Sequence, residues 1–338
     1  MNPPRAIFAV AAALTVATGC DVPTEPPIVE QRWMVPVDET TLSVDELLPD
    51  AVSTVGDAFD ISIDPVAASA TLGELCPECA LVDGTTAPVP AFEEDFVETQ
   101  ALPTEVISAE VTGGSIDLSI INGFSFDPLE NGGTMVVTIA DDLSGDVLGE
   151  VTLDGATEPL PADTTVLRTI DLSPVTLTGP LRATVAVDAP GGQTAVIDVS
   201  DIIEVSAEVT SLLVSSVTVD VGNQTVSFED QAIDLEDIDA DVTDRIVAGS
   251  IVLDVINPFS VSVDGSVEIG STSKTFSIAG SGPSTVTLDY TGDELRSFVG
   301  QPNVFFSGSG TANGTSVTIQ PGQEMNIDAT LDVTLEIG

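Results

Sequence analysis

The chain predicts an all-β fold, and three features carry that expectation. Two segments alternate apolar and polar residues with a period of two, the mark of strands with one buried face. They are Gly114 to Ser125, with Ile116, Leu118 and Ile120 on one side, and Gly249 to Ser260, with Ile251, Leu253 and Val255. The last fourteen residues alternate throughout, from Met325 through Ile327, Ala329, Leu331, Val333 and Leu335 to Ile337. Between such runs the chain is punctuated by Gly and Pro, and helix signals are scarce, which fits many short strands joined by turns.

The two alternating segments look like copies. Each ends in an Asn, a turn residue and a Phe: Asn122-Gly123-Phe124 and Asn257-Pro258-Phe259. Gly tolerates positive φ and Pro donates no N–H, so both pairs stop a strand. A second match lies downstream, where Ile203, Val205, Ala207 and Val209 face Met325, Ile327, Ala329 and Leu331. The heads are offset by 135 residues and the tails by 122. Equal order at unequal offset implies a duplicated domain with thirteen extra residues in the first copy, expected between Asp141 and Pro180. The expected architecture is two tandem antiparallel β-sandwich-like domains. The closing strand, at about 3.3 Å per residue, either bends through two sheets or belongs to an elongated domain.

Taken in order, residues 1–19 read as an export signal, with Arg5 ahead of a short apolar run, Ala6 to Val16. Ala17-Thr18-Gly19 then precede Cys20. These residues resemble the lipobox of bacterial lipoproteins, which implies that Cys20 is lipidated and becomes the first mature residue. The other reading is an ordinary secretory signal. Residues 20–35, with Pro23, Pro26 and Pro27, read as an extended tether. Residues 36–104 read as a small N-terminal region. It holds a capping box at Ser43 to Glu46, a Cys76/Cys79 loop and an acidic linker over 83–104. Residues 105–239 are the first β domain with connecting strands, and 240–338 the second. Thr291 is placed to cap a short helix over Gly292 to Phe298.

Charge excludes one class of partner. The 338 residues carry 55 Asp and Glu against seven Lys and Arg, a net charge of −48 with no His. Nucleic-acid binding needs Lys and Arg at phosphates, so no nucleic-acid partner is expected. Acid spread along the whole chain fits a protein working in high salt, where counter-ions screen self-repulsion. The 43% hydrophobic content argues for a folded body. The expected location is the cell envelope, facing the periplasm or the exterior. Its partners would be the membrane, through acyl chains, and an unknown protein or lipid ligand.

Chemistry is thin. Without His, the usual base for a Ser or Cys nucleophile is missing, and no glycine-rich phosphate loop opens a helix. No catalytic residue and no cofactor is expected. Cys76-Pro77-Glu78-Cys79 has no further Cys or His to complete a four-ligand zinc site. It reads as a small disulfide loop, with a redox pair and free thiols as the other readings. Asp237, Asp239 and Asp241 begin like a calcium loop, but Val242 stands where Gly is needed and Ala248 where Glu is needed. The alternative is a solvated strand face.

The apolar strand running into Asn257-Pro258-Phe259 resembles the late-embryogenesis-abundant type-2 domain, also called the water-stress and hypersensitive-response domain. Ile116 to Phe124 resembles it too, with Gly123 in place of the Pro. The resemblance covers residues 105–215 and 240–338. It implies a small β-sandwich without a catalytic centre, acting in protection from drying and salt. A second resemblance is to tubular lipid-binding modules of the bactericidal/permeability-increasing type. That one implies a carrier of lipids or other apolar ligands, although the long helix of those modules is absent from this sequence.

Overall fold

The structure, a computed structural model, describes residues 28–46, 48–222, 224–233, 240–299, 301 and 304–337. From the N-terminus, β1 (Val29–Ser43) passes through a 3-10 turn (Val44–Glu46) into β2 (Val52–Val55), β3 (Ala58–Ile61) and β4 (Val66–Thr71). Helix α1 (Leu72–Leu75) and a 3-10 segment (Pro77–Val82) lead to β5 (Thr86–Pro88) and β6 (Phe92–Gln100). Then come β7 (Val106–Asn122), β8 (Thr134–Asp141), β9 (Val147–Asp154), β10 (Thr164–Asp171) and β11 (Val175–Leu177). They are followed by β12 (Leu181–Ala189), β13 (Thr194–Val196) and the long β14 (Ile202–Val219). The second half runs β15 (Gln224–Ile233), α2 (Ala240–Thr243), β16 (Ile246–Asn257), β17 (Ser262–Ile269), β18 (Thr272–Ile278) and β19 (Gly282–Thr291). It closes with α3 (Gly292–Arg296), β20 (Val304–Asn313), β21 (Val317–Ile319) and β22 (Glu324–Ile337).

Every strand pairing among the described residues is antiparallel. The fold is all-β. In the first half one sheet is ordered β10-β7-β14, with β4 and the β2–β3 hairpin on the far side of β14, and the other is ordered β6-β12-β8-β9. In the second half the sheets are β19-β16-β22-β1 and β15-β20-β17-β18. The two orders are the same once β6 to β10 are matched with β15 to β19, β12 with β20, and β14 with β22.

The register matches as well. In the first copy Ile116, Leu118 and Ile120 lie opposite Val209, Ala207 and Val205. In the second, Ile251, Leu253 and Val255 lie opposite Leu331, Ala329 and Ile327. The same apolar pairs therefore meet across the same two strands. A slip of one residue would have turned each set to water. Ile116, Leu118, Ile120, Ile251 and Val255 are buried, while Leu253 is half-buried and touches both cores. Gly114 and Gly249, which open the two repeats, share a reason for being glycine. A Cβ would come within 2.2 Å of the Ser211 carbonyl oxygen in one copy and 2.3 Å of the Asp332 carbonyl oxygen in the other.

The extra length of the first copy is not confined to residues 141–180. Eleven residues join β7 to β8 where four join β16 to β17, and nine join β9 to β10 where three join β18 to β19. Two stretches expected as connectors are strands. From Val29 on, the expected tether is β1, laddered along β22 from Val29 opposite Ile337 to Ser43 opposite Glu324. Its β-branched and aromatic residues find an open strand edge to pair with. Within the expected 83–104 linker, β6 is the edge strand beside β12, with Phe92 buried and its acids facing water. Strand β15, placed in the first domain by the 239/240 boundary, pairs with β20. Short helical turns follow Ser43 and Thr291, at Val44–Glu46 and Gly292–Arg296, and Thr291 forms a full capping box with Glu294.

Each copy has a head end, where its Asn sits, and a base end opposite. The head of the second sandwich is set on the base of the first. Strand β21 pairs with the end of β14, Val317 opposite Val219 and Ile319 opposite Val217. Phe259, Val261, Ile278 and Met325 join the same core as Val106, Val217 and Val219. At the head of the first sandwich, β13 pairs with β5 instead. The Val89 N–H donates to the Gln193 carbonyl there, as the Val221 N–H donates to the Gly314 carbonyl at the junction. The segment with α1 and the cysteines thus caps the head that would otherwise face a neighbour.

Candidate functional site

The repeat residues form a corner inside each head. Asn122 ends β7, is fully buried, and donates from Nδ2 to the carbonyls of Phe126 (2.9 Å), Leu160 (2.9 Å) and Pro161 (3.0 Å). Its Oδ1 accepts from the Phe124 N–H at 2.9 Å. Asn257 repeats this, donating to the Val261 (2.8 Å) and Ala279 (3.0 Å) carbonyls and accepting from the Phe259 N–H at 2.9 Å. A side-chain amide is needed because the turn leaves both donors and acceptors to satisfy within one buried spot. Phe124 and Phe259 are fully buried beside it. Gly123 and Pro258 differ for a visible reason. The Gly123 N–H donates to the Ile202 carbonyl at 3.0 Å, a bond that proline lacks the hydrogen to make. With its hydrogen-bonding atoms satisfied and no surface exposed, the Asn corner is architecture and offers nothing to a ligand.

Cys76 and Cys79 are joined, their sulfurs 2.02 Å apart, and both are buried beneath the first head. Thr71 caps α1 ahead of them in a full capping box with Glu74. That signal, a Thr followed three residues later by Glu, is legible in the sequence. Cys20, residues 1–19, Asp237 and Asp239 lie outside the described residues. Asp241 is described, on α2, and no group of three or more metal-ligating side chains occurs among the described residues.

Two carboxylates missed by sequence reasoning are buried. Asp141 closes β8 and accepts from the N–H groups of Leu143 (2.7 Å), Ser144 (3.3 Å) and Thr178 (2.5 Å) and from the Thr178 hydroxyl (3.0 Å). Burial pushes its pKa up, but these donors together hold it below the ordinary value. Asp332 on β22 is clasped by the Arg32 guanidinium of β1, with the Arg32 Nε 2.7 Å and 2.8 Å from its two oxygens. That hydrogen bond is the main reason its pKa is lowered.

The cations gather at one place. Of the seven Lys and Arg, four lie at the base of the second sandwich: Arg32, Arg245, Lys274 and Arg296. The Lys274 Nζ is 2.9 Å from Glu294 and 4.9 Å from the centre of the Tyr290 ring. It bridges β18 and the β19–α3 corner, the open edges of opposite sheets. Tyr290 stacks edge-on against Phe298, and its hydroxyl is buried without a partner among the described residues. Burial first, and the Glu294 charge second, push its pKa up to about 12. The Arg296 guanidinium donates to the Ile246 carbonyl and pairs with Asp293. Such an arrangement clamps a sheet end. It places no nucleophile beside a base.

No family model matches the chain, and no curated protein matches it. Among solved structures it is similar to a Parabacteroides distasonis protein named "putative secreted protein", at 10% identity and a TM-score of 0.32 over 90% of this chain and 99% of that one. It is also similar to a chain of broad bean stain virus, at 11% identity and a TM-score of 0.21 over 76% of this chain and 91% of that one. A chain of infectious bursal disease virus, Gx strain, follows at 10% identity and a TM-score of 0.19, over 89% and 72%. At TM-scores this low none of the three bears on what the protein does.

Proposed function

We propose that this chain is a non-catalytic, lipid-anchored protein of the cell envelope whose tandem β-sandwiches bind or scaffold through their outer surfaces. The observation that carries this reading is how the interiors are filled. Phe59, Phe124, Phe259, Leu118, Met135 and Ile139 lie fully buried among aliphatic neighbours. A body packed in this way offers a partner its faces and ends. The acidic surface, at a net charge of −48 over the chain, suits a salty exterior, as does the protective role implied by the water-stress resemblance. The anchor rests on Ala17-Thr18-Gly19-Cys20. The test has two arms. Cys20→Ser should move the protein from membrane to soluble fractions, and retention on membranes would sink the lipoprotein reading. Mass spectrometry of protein purified from its host should find acyl chains on Cys20 and no stoichiometric lipid held by the body. A bound lipid would instead favour the carrier.

A further inference from the structure

The base of the second sandwich differs from the rest of the surface. Strand β1 begins there, opposite the end of β22, so the described chain starts where it finishes. Exposed apolar residues collect at the same end: Ile28, Val29, Trp33, Val247, Phe305 and Ile337. Trp33 is the only Trp in 338 residues. The four cations named above stand among them, and Arg32 is 69% exposed. Acids are present as well, including Glu30, Asp244 and Glu336. Three of the cations neutralise Asp332, Glu294 and Asp293.

The opposite end of the molecule, the head of the first sandwich, has a different character. Leu81 and Val196 are exposed there, but the charged neighbours are Glu78, Asp83, Asp198 and Asp201. Asp201 is held above the ordinary carboxylate pKa by burial first, then by the charges of Asp198 and Asp163. Anionic lipid headgroups would repel that end.

Chain length supplies the third argument. Val29 stands nine positions after Cys20, with eight residues between them. Fully extended, this stretch reaches roughly 30 Å. The head of the first sandwich lies beyond two stacked sandwiches, on the order of 90 Å from the start of β1 by strand rise. An anchor at Cys20 can therefore bring the base of the second sandwich to the bilayer while the first sandwich stands clear. Trp at a lipid–water boundary, with Arg reaching to headgroups, is the usual composition of a protein surface at that depth.

We propose that the base of the second sandwich is a membrane-contact surface, seated through Ile28, Val29, Trp33, Val247, Phe305 and Ile337 in the headgroup layer of the bilayer that holds the chain's own anchor. The first sandwich is thereby presented outward. This rests on the lipoprotein reading, and one experiment separates the two. The acylated full-length protein is reconstituted into phosphatidylethanolamine/phosphatidylglycerol vesicles whose acyl chains are brominated near the glycerol. Flotation reads anchoring, and Trp33 emission reads contact. The expected result is co-flotation with loss of roughly half of the Trp33 emission relative to unbrominated vesicles, as befits an interfacial indole. Trp33→Phe combined with Leu81→Trp moves the only indole to the far end, where bromine should leave it unquenched. Co-flotation with unquenched Trp33, or equal quenching at both ends, would overturn the contact surface and leave the anchor standing. Failure to float would overturn both.

Discussion

Strands β4 and β1 hold the same place in their sheets, each beside the tail strand of its copy, and they are made of opposite material. In β4 Val66, Ala68 and Ala70 are buried, and the strand lies between the β2–β3 hairpin and α1 in sequence. In β1 every residue from Val29 to Met34 is exposed, and only Val35, Leu42 and Ser43 of its described side chains are partly covered. Yet β1 pairs along nearly all of β22, with one register shift between Pro36 and Asp38, and β4 along only the first part of β14. One strand is held by side chains in a core, the other mainly by a long ladder and one ion pair, with only Val35 and Leu42 of its described side chains packed against the cores. The place in the sheet is thus set by the main-chain edge of the tail strand, which accepts whatever extended segment reaches it.

Substitutions can break or sharpen that comparison. The largest effect is expected at the Asn corner, which both copies share. Asn122→Ala should cost on the order of 4 kcal/mol, because it strands the buried carbonyls of Phe126 and Leu160, the part-buried one of Pro161, and the Phe124 N–H. Asn257→Ala, with two carbonyls, should cost about 3 kcal/mol. Urea unfolding measures both, and a cost under about 1 kcal/mol at either would remove the corner as the shared organiser. Leu118→Ala should cost about 3–5 kcal/mol and Leu253→Ala nearer 2, since Leu253 is only half-buried. Equal costs would mean that the two head strands are more alike in packing than their exposure says.

Smaller effects separate the copies. Replacing both Cys76 and Cys79 with Ala should cost about 2 kcal/mol, the value for so short a loop. The change should register in amide exchange of the first sandwich and leave β16 and β17 untouched. Acid should also act unevenly. The folded pKa of Asp141 lies below 3.8, so the stability it contributes is complete above that value and is lost as pH falls through the lower, folded value. Asp141→Asn should flatten the fall in melting temperature below about pH 4, and an unchanged slope would exclude Asp141 as its source. The smallest effect is expected for Arg32→Ala. It should speed hydrogen exchange along β1 with little change in melting temperature, and β4 amides should not respond. Slow exchange in β1 after that change would show that the ladder alone suffices.

The sequence made some of this legible and hid the rest for physical reasons. Head and tail strands were readable because each buries one face, and burial leaves a period-two trace in composition. The 122 and 135 offsets located both tail strands correctly against their heads. Strands β1 and β6 were hidden because edge strands keep most side chains in water, so their residues look like a tether or an acidic linker. The partners of Asn122 were out of reach for another reason. Leu160 and Pro161 lie 38 and 39 residues away, in a connection without pattern. The Asn-x-Phe signature marked the place and left its purpose open. Asp141 could not be told from the other acids, since satisfaction by backbone N–H groups writes nothing into composition.

The pairing of β1 with β22 has a consequence in time. Val29 meets Ile337, so the second body cannot close until nearly the whole chain has been made. At ribosomal rates of about 5–20 residues per second, β1 waits roughly 15–60 s for its partner. Until then β22 does not exist and β1 is an unpaired extended segment carrying Trp33 and Met34 in the open. The first sandwich has its own strands complete by Val219; the second closes a loop of some three hundred residues, a slow step by its contact order. A holding chaperone would therefore find its binding site in the earliest strand of the molecule, and would be released by the arrival of the last.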